Sequence, residues 1–294
     1  MDILLLFSPH SGILNAPLAS NGRIIRHQQK KRSEVMDIWK ELRDEGIDPS
    51  LLEEIQHFRA AHPVPPEAAA RIPIPQCLYY GKEVWESAAA ALLCGQHLLL
   101  AGPKATGKNV LAENLAAVFG RPVWDVSMYV NVDAAALIGA DTLQEGEVVF
   151  REGPICRCAR LGGFGVLDEV NMAKNEALAV LHATLDHRRV IDVPGYERIT
   201  LDDATRFIGT MNYGYAGTRE LNEALVSRFA VLDMPVISDA DLQKLLRRTF
   251  PTLSAKWAEQ FALLFRDLRQ KCDSGEISTK TLDLRCLLYT SPSP

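Results

Sequence analysis

No apolar run in the chain approaches the length of a membrane span. The opening stretch Ile3 to Phe7 is too short, and lacks the basic start, for a secretory signal. A basic surplus is missing as well. The formal net charge is −5, which argues against a surface built to coat nucleic acid. The one basic cluster, Arg26 to Arg32, reads as a solvated tail rather than a nucleic-acid contact. Cysteine pairs at metal-ligand spacing are absent too. Cys156 and Cys158 are separated by one residue, a poor chelating arrangement, and with Cys77, Cys94, Cys272 and Cys286 they read as reduced thiols. The expectation is a soluble cytoplasmic protein with neither a membrane nor a nucleic-acid partner.

What is present is an ordinary globular composition, 47% apolar and 23% charged over 294 residues, enough for about two domains. The chain is organised around His97 to Asn109. Leu98 to Ala101 read as a short buried strand, Gly102 to Gly107 as a glycine-rich turn, and Asn109 to Phe119 as a helix. The strand–loop–helix Gly102-Pro103-Lys104-Ala105-Thr106-Gly107-Lys108 has the form of a phosphate-binding loop. Glycines let the backbone aim its N–H groups at phosphate oxygens, and the helix that opens there adds its positive end. Lys108 would reach the outer phosphates, with Val110 following in the first helical turn. A Ser or Thr hydroxyl is expected after the lysine as a magnesium ligand, but Asn109 stands there. Its carbonyl oxygen is a hard donor on a longer, differently angled arm, so magnesium should bind more weakly or through water while nucleotide binding survives.

Five segments are expected. Residues 1–35 lack clear periodicity and read as disordered or as translated upstream sequence, with Met36 as the natural start. Residues 36–75 hold two short helices, broken at Gly46 and Pro49, and a proline- and alanine-rich linker from Pro63 to Pro75. A nucleotide-binding α/β domain spans 76–236, opening with a helix over Trp85 to Leu93. A helical lid begins at 237–285. Residues 286–294 depart abruptly from the preceding pattern and read as a non-native, adapter-derived tail that cuts the lid short.

The second half of the site comes some 60 residues after the loop. Gly165 to Asn171 read as an apolar strand ending in Asp168 and Glu169. In a Walker B role Asp168 holds magnesium and Glu169 orients and activates the attacking water. A further strand, Arg206 to Thr210, leads to Met211 and Asn212, placing a carboxamide at a strand tip where it can position water. Arg228 then lies in Ala-Leu-Val-Ser-Arg-Phe.

Taken together, phosphate loop, Asp-Glu, strand-tip Asn and Ser-Arg-Phe resemble AAA+ ATPases, and within them the MoxR group and its CbbQ- and NorQ-like relatives. The narrower likeness rests on Val132 to Gly139 leading into Gly146 to Ile155, on Asp168 to Leu181, and on the Arg189 to Leu201 region, read as a hairpin before the sensor strand. The resemblance covers roughly Gln76 to Arg285. It implies a P-loop α/β fold, with a five-stranded parallel sheet between helices and a small helical lid. It also implies a ring, usually a hexamer, with ATP and magnesium at subunit interfaces. Arg228 matches the arginine finger directed at a neighbour's nucleotide, Asn212 matches sensor 1, and Lys280 or Arg285 the sensor 2 position. Asn131 to Phe150 and Arg189 to Leu201 match insertions that line or flank a central pore, or are plain surface hairpins.

The leading expectation is an ATP-hydrolysing motor that remodels a partner protein in a chaperone-like way, working with a von Willebrand factor A domain partner. The alternatives are a nucleotide-gated interaction module with little hydrolysis, consistent with Asn109, and a DNA-directed AAA+ motor.

Overall fold

The computed structural model describes residues 36–276 apart from 194 and 214–218. The segments 1–35 and 286–294, together with Lys280 and Arg285, lie outside the described residues.

Two short helices open the described chain. Asp37 accepts the amides of Trp39 and Lys40 to cap α1 (Ile38–Asp44). Asp48 caps α2 (Pro49–Ala61), whose proline sits where no intrahelical donor is lost. The expected linker from Pro63 to Pro75 is instead a packed strap. It contains the turn α3 (Pro66–Ala69), with Ala68 buried. The Arg71 carbonyl accepts the Val123 amide at 3.0 Å, and the Arg71 guanidinium lies 5.0 Å from the Trp124 ring centroid. Proline and alanine content suggested a spacer. What overrode it is an open sheet edge, whose backbone groups gain a partner from the strap.

The helix expected from Trp85 begins earlier, as α4 (Lys82–Leu93). Then come β1 (His97–Gly102), α5 (Lys108–Phe119) and β2 (Val123–Ser127). A first insertion carries α6 (Ala134–Ile138) and an antiparallel pair, β3 (Gly139–Gln144) with β4 (Glu147–Glu152). Helix α7 (Pro154–Arg160) leads to β5 (Phe164–Asp168), followed by short turns that include α8 (Asn175–Leu178) and α9 (His182–Leu185). A small antiparallel pair, β6 (Val190–Ile191) with β7 (Ile199–Thr200), precedes β8 (Arg206–Asn212). The turn α10 (Glu223–Val226), β9 (Phe229–Asp233), α11 (Asp239–Thr249) and α12 (Ala255–Asp273) complete the order.

The main sheet is five-stranded, in the order β2-β5-β8-β1-β9, and every pairing is parallel. All six residues of β1 are buried, as expected of a central strand covered on both faces. Alternation divides its leucines: Leu98 and Leu100 pack with α2, α4 and α5, whereas Leu99 joins the opposite layer with α7 and α9. β8 does the same, with Ile208 on the first face and Phe207 on the second. The N-terminal helices share the first core layer through Ile38, Leu42, Leu52 and Ile55, and so does α11 through Leu242 and Leu246. Asp239 at the start of lid helix α11 pairs with Arg266 within α12 at 2.8 Å.

Candidate functional site

Strand β1 ends in the turn that the sequence singled out. Gly102 has φ +157°, and a Cβ there would stand 2.7 Å from the Met234 carbonyl oxygen, so only glycine fits. Gly107 is left-handed at φ +84°, and a Cβ would meet the Tyr79 ring at 3.0 Å. Ala105 is also left-handed, at φ +61°. A turn of this kind gathers backbone N–H groups into an anion-binding concavity. Gly107 caps α5 with no side-chain hydrogen bond, and no acid lies in the first turn, which leaves the positive helix end open to a phosphate. Lys108 is buried, and its ammonium donates to the carbonyls of Gly102 (3.1 Å) and Pro103 (2.7 Å) and to Thr106 Oγ1 (3.2 Å). Thr106 in turn donates to the Pro103 carbonyl at 3.0 Å. Lys104 and Asn109 are exposed, and Val110 half-buried, around this turn.

Parallel registry brings the other expected residues to the same end of the sheet. Gly102 pairs with Asn212, and Leu167, the residue before Asp168, pairs with Gly209. Since β8 lies between β5 and β1, Asn212 stands between the two acids and the phosphate loop, with neighbouring strands about 4.8 Å apart. Three side-chain bonds organise the tip. Thr210 Oγ1 donates to Asp168 Oδ1 at 2.7 Å and accepts the Glu169 amide at 3.0 Å, and Asn212 Nδ2 donates to Glu169 Oε1 at 3.0 Å. Glu169 itself is left-handed, with φ +56° and ψ +48°. That conformation is uncommon for a residue with a side chain, and here the Thr210 and Asn212 bonds hold it. Nearby, partial desolvation and then the Asp168 charge hold the Asp125 carboxyl above its usual value.

Arg228 is elsewhere. Its Nε donates to the His182 carbonyl at 3.0 Å and its Nη1 to the Ala224 carbonyl. The next residue, Phe229, pairs with His97 at the start of β1, whereas the phosphate loop begins at the other end of that six-residue strand. The separation along β1 is about 16 Å. Arg228 is therefore not part of the cluster formed by Lys108, Asp168, Glu169 and Asn212. Lys280, the expected sensor 2 residue, lies outside the described residues.

Sequence reasoning missed three buried polar residues around the site. Thr210 was read only as the end of a strand. Asn171 is buried, and its Nδ2 donates to the Asn212 carbonyl at 3.0 Å. Asn114 is fully buried in α5, where it accepts the Tyr79 amide at 2.7 Å and donates to the Cys77 carbonyl at 2.9 Å, fixing the segment that packs Tyr79 on Gly107. A polar residue on the apolar face of the loop helix was the available signal for Asn114.

The two insertions are tied to each other. Tyr196 donates to Asp141 Oδ1 at 2.8 Å and its ring lies 5.0 Å from that of Phe150. Arg160 contacts both Glu152 (2.5 Å) and Glu197 (3.2 Å). At the end of the first hairpin Leu143 and Val148 face each other across the ladder, 75% and 64% exposed.

The donor set fits a nucleoside triphosphate with a divalent cation. The uncapped α5 terminus and Lys108 would hold phosphates, and Asp168, with Asn109 on the exposed first turn, would supply oxygen ligands to magnesium. Among the described residues no cluster of three or more His, Cys, Asp or Glu is able to hold a metal by itself, so such a cation would need phosphate oxygens or water to complete its shell.

The chain is similar to several known proteins. The model of the AAA domain, dynein-related subfamily, matches residues 97–229. The uncharacterized protein YojN of Bacillus subtilis is 35% identical over 208 residues, covering 69% of this chain and 68% of YojN. Uncharacterized proteins of Staphylococcus haemolyticus (33% over 216 residues) and Staphylococcus epidermidis (36% over 216 residues) each cover 71% of this chain, which spans 82% and 81% of them. A solved structure of a candidate ATPase from Cytophaga hutchinsonii is 17% identical, with a TM-score of 0.49 over 74% of this chain and 66% of that one. The loop that opens on Gly102 and the strand tips beside it thus place the chain in the dynein-related AAA family of AAA+ ATPases.

Proposed function

We propose that the protein binds ATP with magnesium and hydrolyses it, as a ring-forming motor that remodels a partner protein. The observation that carries this reading is the bond from Asn212 to Glu169 at the sheet end beside the phosphate loop. Glu169 is the base that would orient and deprotonate the attacking water, and Asn212 fixes its direction from the neighbouring strand. Bound magnesium would neutralise charge developing on the phosphates; Lys108 and the turn amides would hold those phosphates in place. Arg228, set about 16 Å of strand away from its own loop, is beyond reach of its own nucleotide and supports a site completed by a second copy. The likeness to the MoxR and CbbQ–NorQ-like group extends this to a hexamer, to the two joined insertions lining or flanking a pore, and to a partner with a von Willebrand factor A domain. No described helix is long and apolar enough to cross a membrane.

The test is phosphate release by the full-length assembled protein with magnesium, compared with Glu169→Gln. The variant should bind ATP as the wild type does and release no phosphate. Wild-type release no higher than that of the variant overturns the hydrolytic reading. A second reading, a nucleotide-gated interaction module with little turnover, draws on exposed Asn109 at the ligand position. The phosphate-release assay separates the two, and Asn109→Thr tests the ligand itself: a large gain in turnover at low magnesium shows that Asn109 weakens the cation site, and no gain shows that it coordinates adequately or that the ligand is dispensable. A DNA-directed motor ranks last on charge, and salt-sensitive DNA binding by the assembled ring would revive it.

A further inference from the structure

Asn171 follows the two acids by two residues and has no place in the hydrolytic scheme above. It is 4% exposed. Its Nδ2 donates to the Asn212 carbonyl at 3.0 Å, and its own carbonyl accepts the Arg219 amide at 3.0 Å. Its Oδ1 is buried without a hydrogen-bond partner among the described residues. A flipped amide would turn Oδ1 against the Asn212 carbonyl, acceptor facing acceptor, so the orientation is fixed by the Asn212 backbone. A buried acceptor left unpaired is costly, typically about 1–3 kcal/mol, so this amide is a poor choice for stability alone.

We infer that Asn171 is a positioning residue for the attacking water: by holding the Asn212 backbone at the strand tip, it sets the direction from which the Asn212 carboxamide grips Glu169. The inference rests on the hydrolytic reading of the site. Its physical core is a relay of two hydrogen bonds, Asn171 Nδ2 to the Asn212 carbonyl and Asn212 Nδ2 to Glu169 Oε1, each 3.0 Å. Glu169 occupies a strained left-handed conformation, so its carboxylate depends on such outside constraints more than one on regular backbone would. Anchoring the Arg219 amide on the Asn171 carbonyl extends the constraint to the chain that resumes beyond the strand tip. A shift of about 1 Å in a catalytic group costs about a hundredfold in rate, and the relay is placed to prevent one.

The test compares Asn171→Leu with Asn171→Asp in the full-length assembled protein. Leucine keeps the branching at Cγ with a larger volume and removes both the donor and the orphaned acceptor, so the melting temperature should fall modestly while ATP binding holds. Aspartate keeps the shape but presents a carboxylate to the Asn212 carbonyl. Both variants should lower kcat by about tenfold to a hundredfold, leave KM for ATP near wild type, and bind ATP normally. Crystal structures of the variants should show the Asn212 carboxamide displaced from Glu169. Wild-type kcat in Asn171→Leu overturns the inference, as does a fall in kcat accompanied by an equal loss of thermal stability and ATP binding, which marks a purely structural role. If the wild type itself releases no phosphate, the hydrolytic reading fails, and the crystal structure still decides the relay: Asn212 unmoved in Asn171→Leu rejects it.

Discussion

Thr210 donates its hydroxyl hydrogen to Asp168 Oδ1 at 2.7 Å, and the same oxygen accepts the amide of Glu169 at 3.0 Å. One buried hydroxyl on β8 thus sets both acids at the end of β5. Through that amide it also supports Glu169 in its left-handed conformation. Thr210→Val preserves shape but strips both bonds. The expected result is a loss of about 1–3 kcal/mol, because the Glu169 amide loses its acceptor, together with a higher magnesium requirement for turnover. Thr210→Ser should recover most of both. Urea unfolding and a magnesium titration of phosphate release measure the two effects, and a valine variant equal to wild type in both would remove Thr210 from the site.

The strand–turn–helix around Gly102, the acids after Leu167 and the carboxamide at Asn212 were legible in the sequence because each rests on local pattern. Short apolar runs ended at residues whose chemistry has few other uses. Registry then did the rest, since parallel strands deliver all their C-terminal ends to one side. Thr210, Asn171 and Asn114 were not legible, because a Thr in a strand or an Asn in a helix acquires its role only from the strand or loop packed beside it. The strap at 63–75 misled for a related reason. Proline and alanine content describes the segment alone, and its packing is decided by the open edge of β2.

An ion-pair clasp joins the N-terminal helix to the lid. Glu45 meets Lys244 at 2.7 Å and Glu41 meets Arg248, so two acids four residues apart, on α1 and at its C-cap, face two bases four residues apart on α11, in opposite chain order. Tyr80 lies beneath, its ring centroid 5.7 Å from the Lys244 ammonium. Each pair is partly exposed and so contributes about 1 kcal/mol or less, yet both act on the docking of one helix. Lys244→Glu should therefore raise hydrogen exchange across residues 239–249 while changing global stability little. Adding Glu45→Lys in the same chain should restore protection. High salt should reproduce the loosening in the wild type. Unchanged exchange in Lys244→Glu would mean that the apolar contacts of Leu242 and Leu246 dock the lid unaided.

At the opposite end of the sheet His97 works as a neutral acceptor. Its Nδ1 takes the Phe207 amide at 3.0 Å, joining β1 to β8, and burial, followed by the charges of Arg189 and Arg206, lowers its pKa from 6.5 to about 3. Between those values the unfolded chain binds a proton that the native chain refuses. The stabilising contribution is therefore complete above pH 6.5 and is lost as the pH falls toward 3, at about 1.4 kcal/mol per unit. His97→Asn keeps an acceptor near the Phe207 amide and removes the titration, so it should be less stable than wild type at neutral pH, with the gap narrowing on acidification. Urea unfolding at neutral pH and at about pH 4.5 checks this, and a gap that stays constant rules out His97 as a source of acid sensitivity.

Arg228 allows the ring to be tested directly. Its side chain is bound to the carbonyls of His182 and Ala224, at the end of the sheet away from the phosphate loop. If it completes a neighbour's site, Arg228→Ala should lower turnover by about a thousandfold while leaving ATP binding intact, because such an arginine stabilises charge that develops only in the transition state. Glu169→Gln should be inactive for a different reason, lacking the proposed base in its own site. Mixing the two variants creates interfaces in which an intact Glu169 on one chain meets an intact Arg228 on the next. Phosphate release should then reappear in the mixture although neither variant has it alone, rising to a maximum near equal proportions. Reassembly without any recovered turnover would place Arg228 outside the shared site, and its hydrogen bonds to His182 and Ala224 would stand as its whole role.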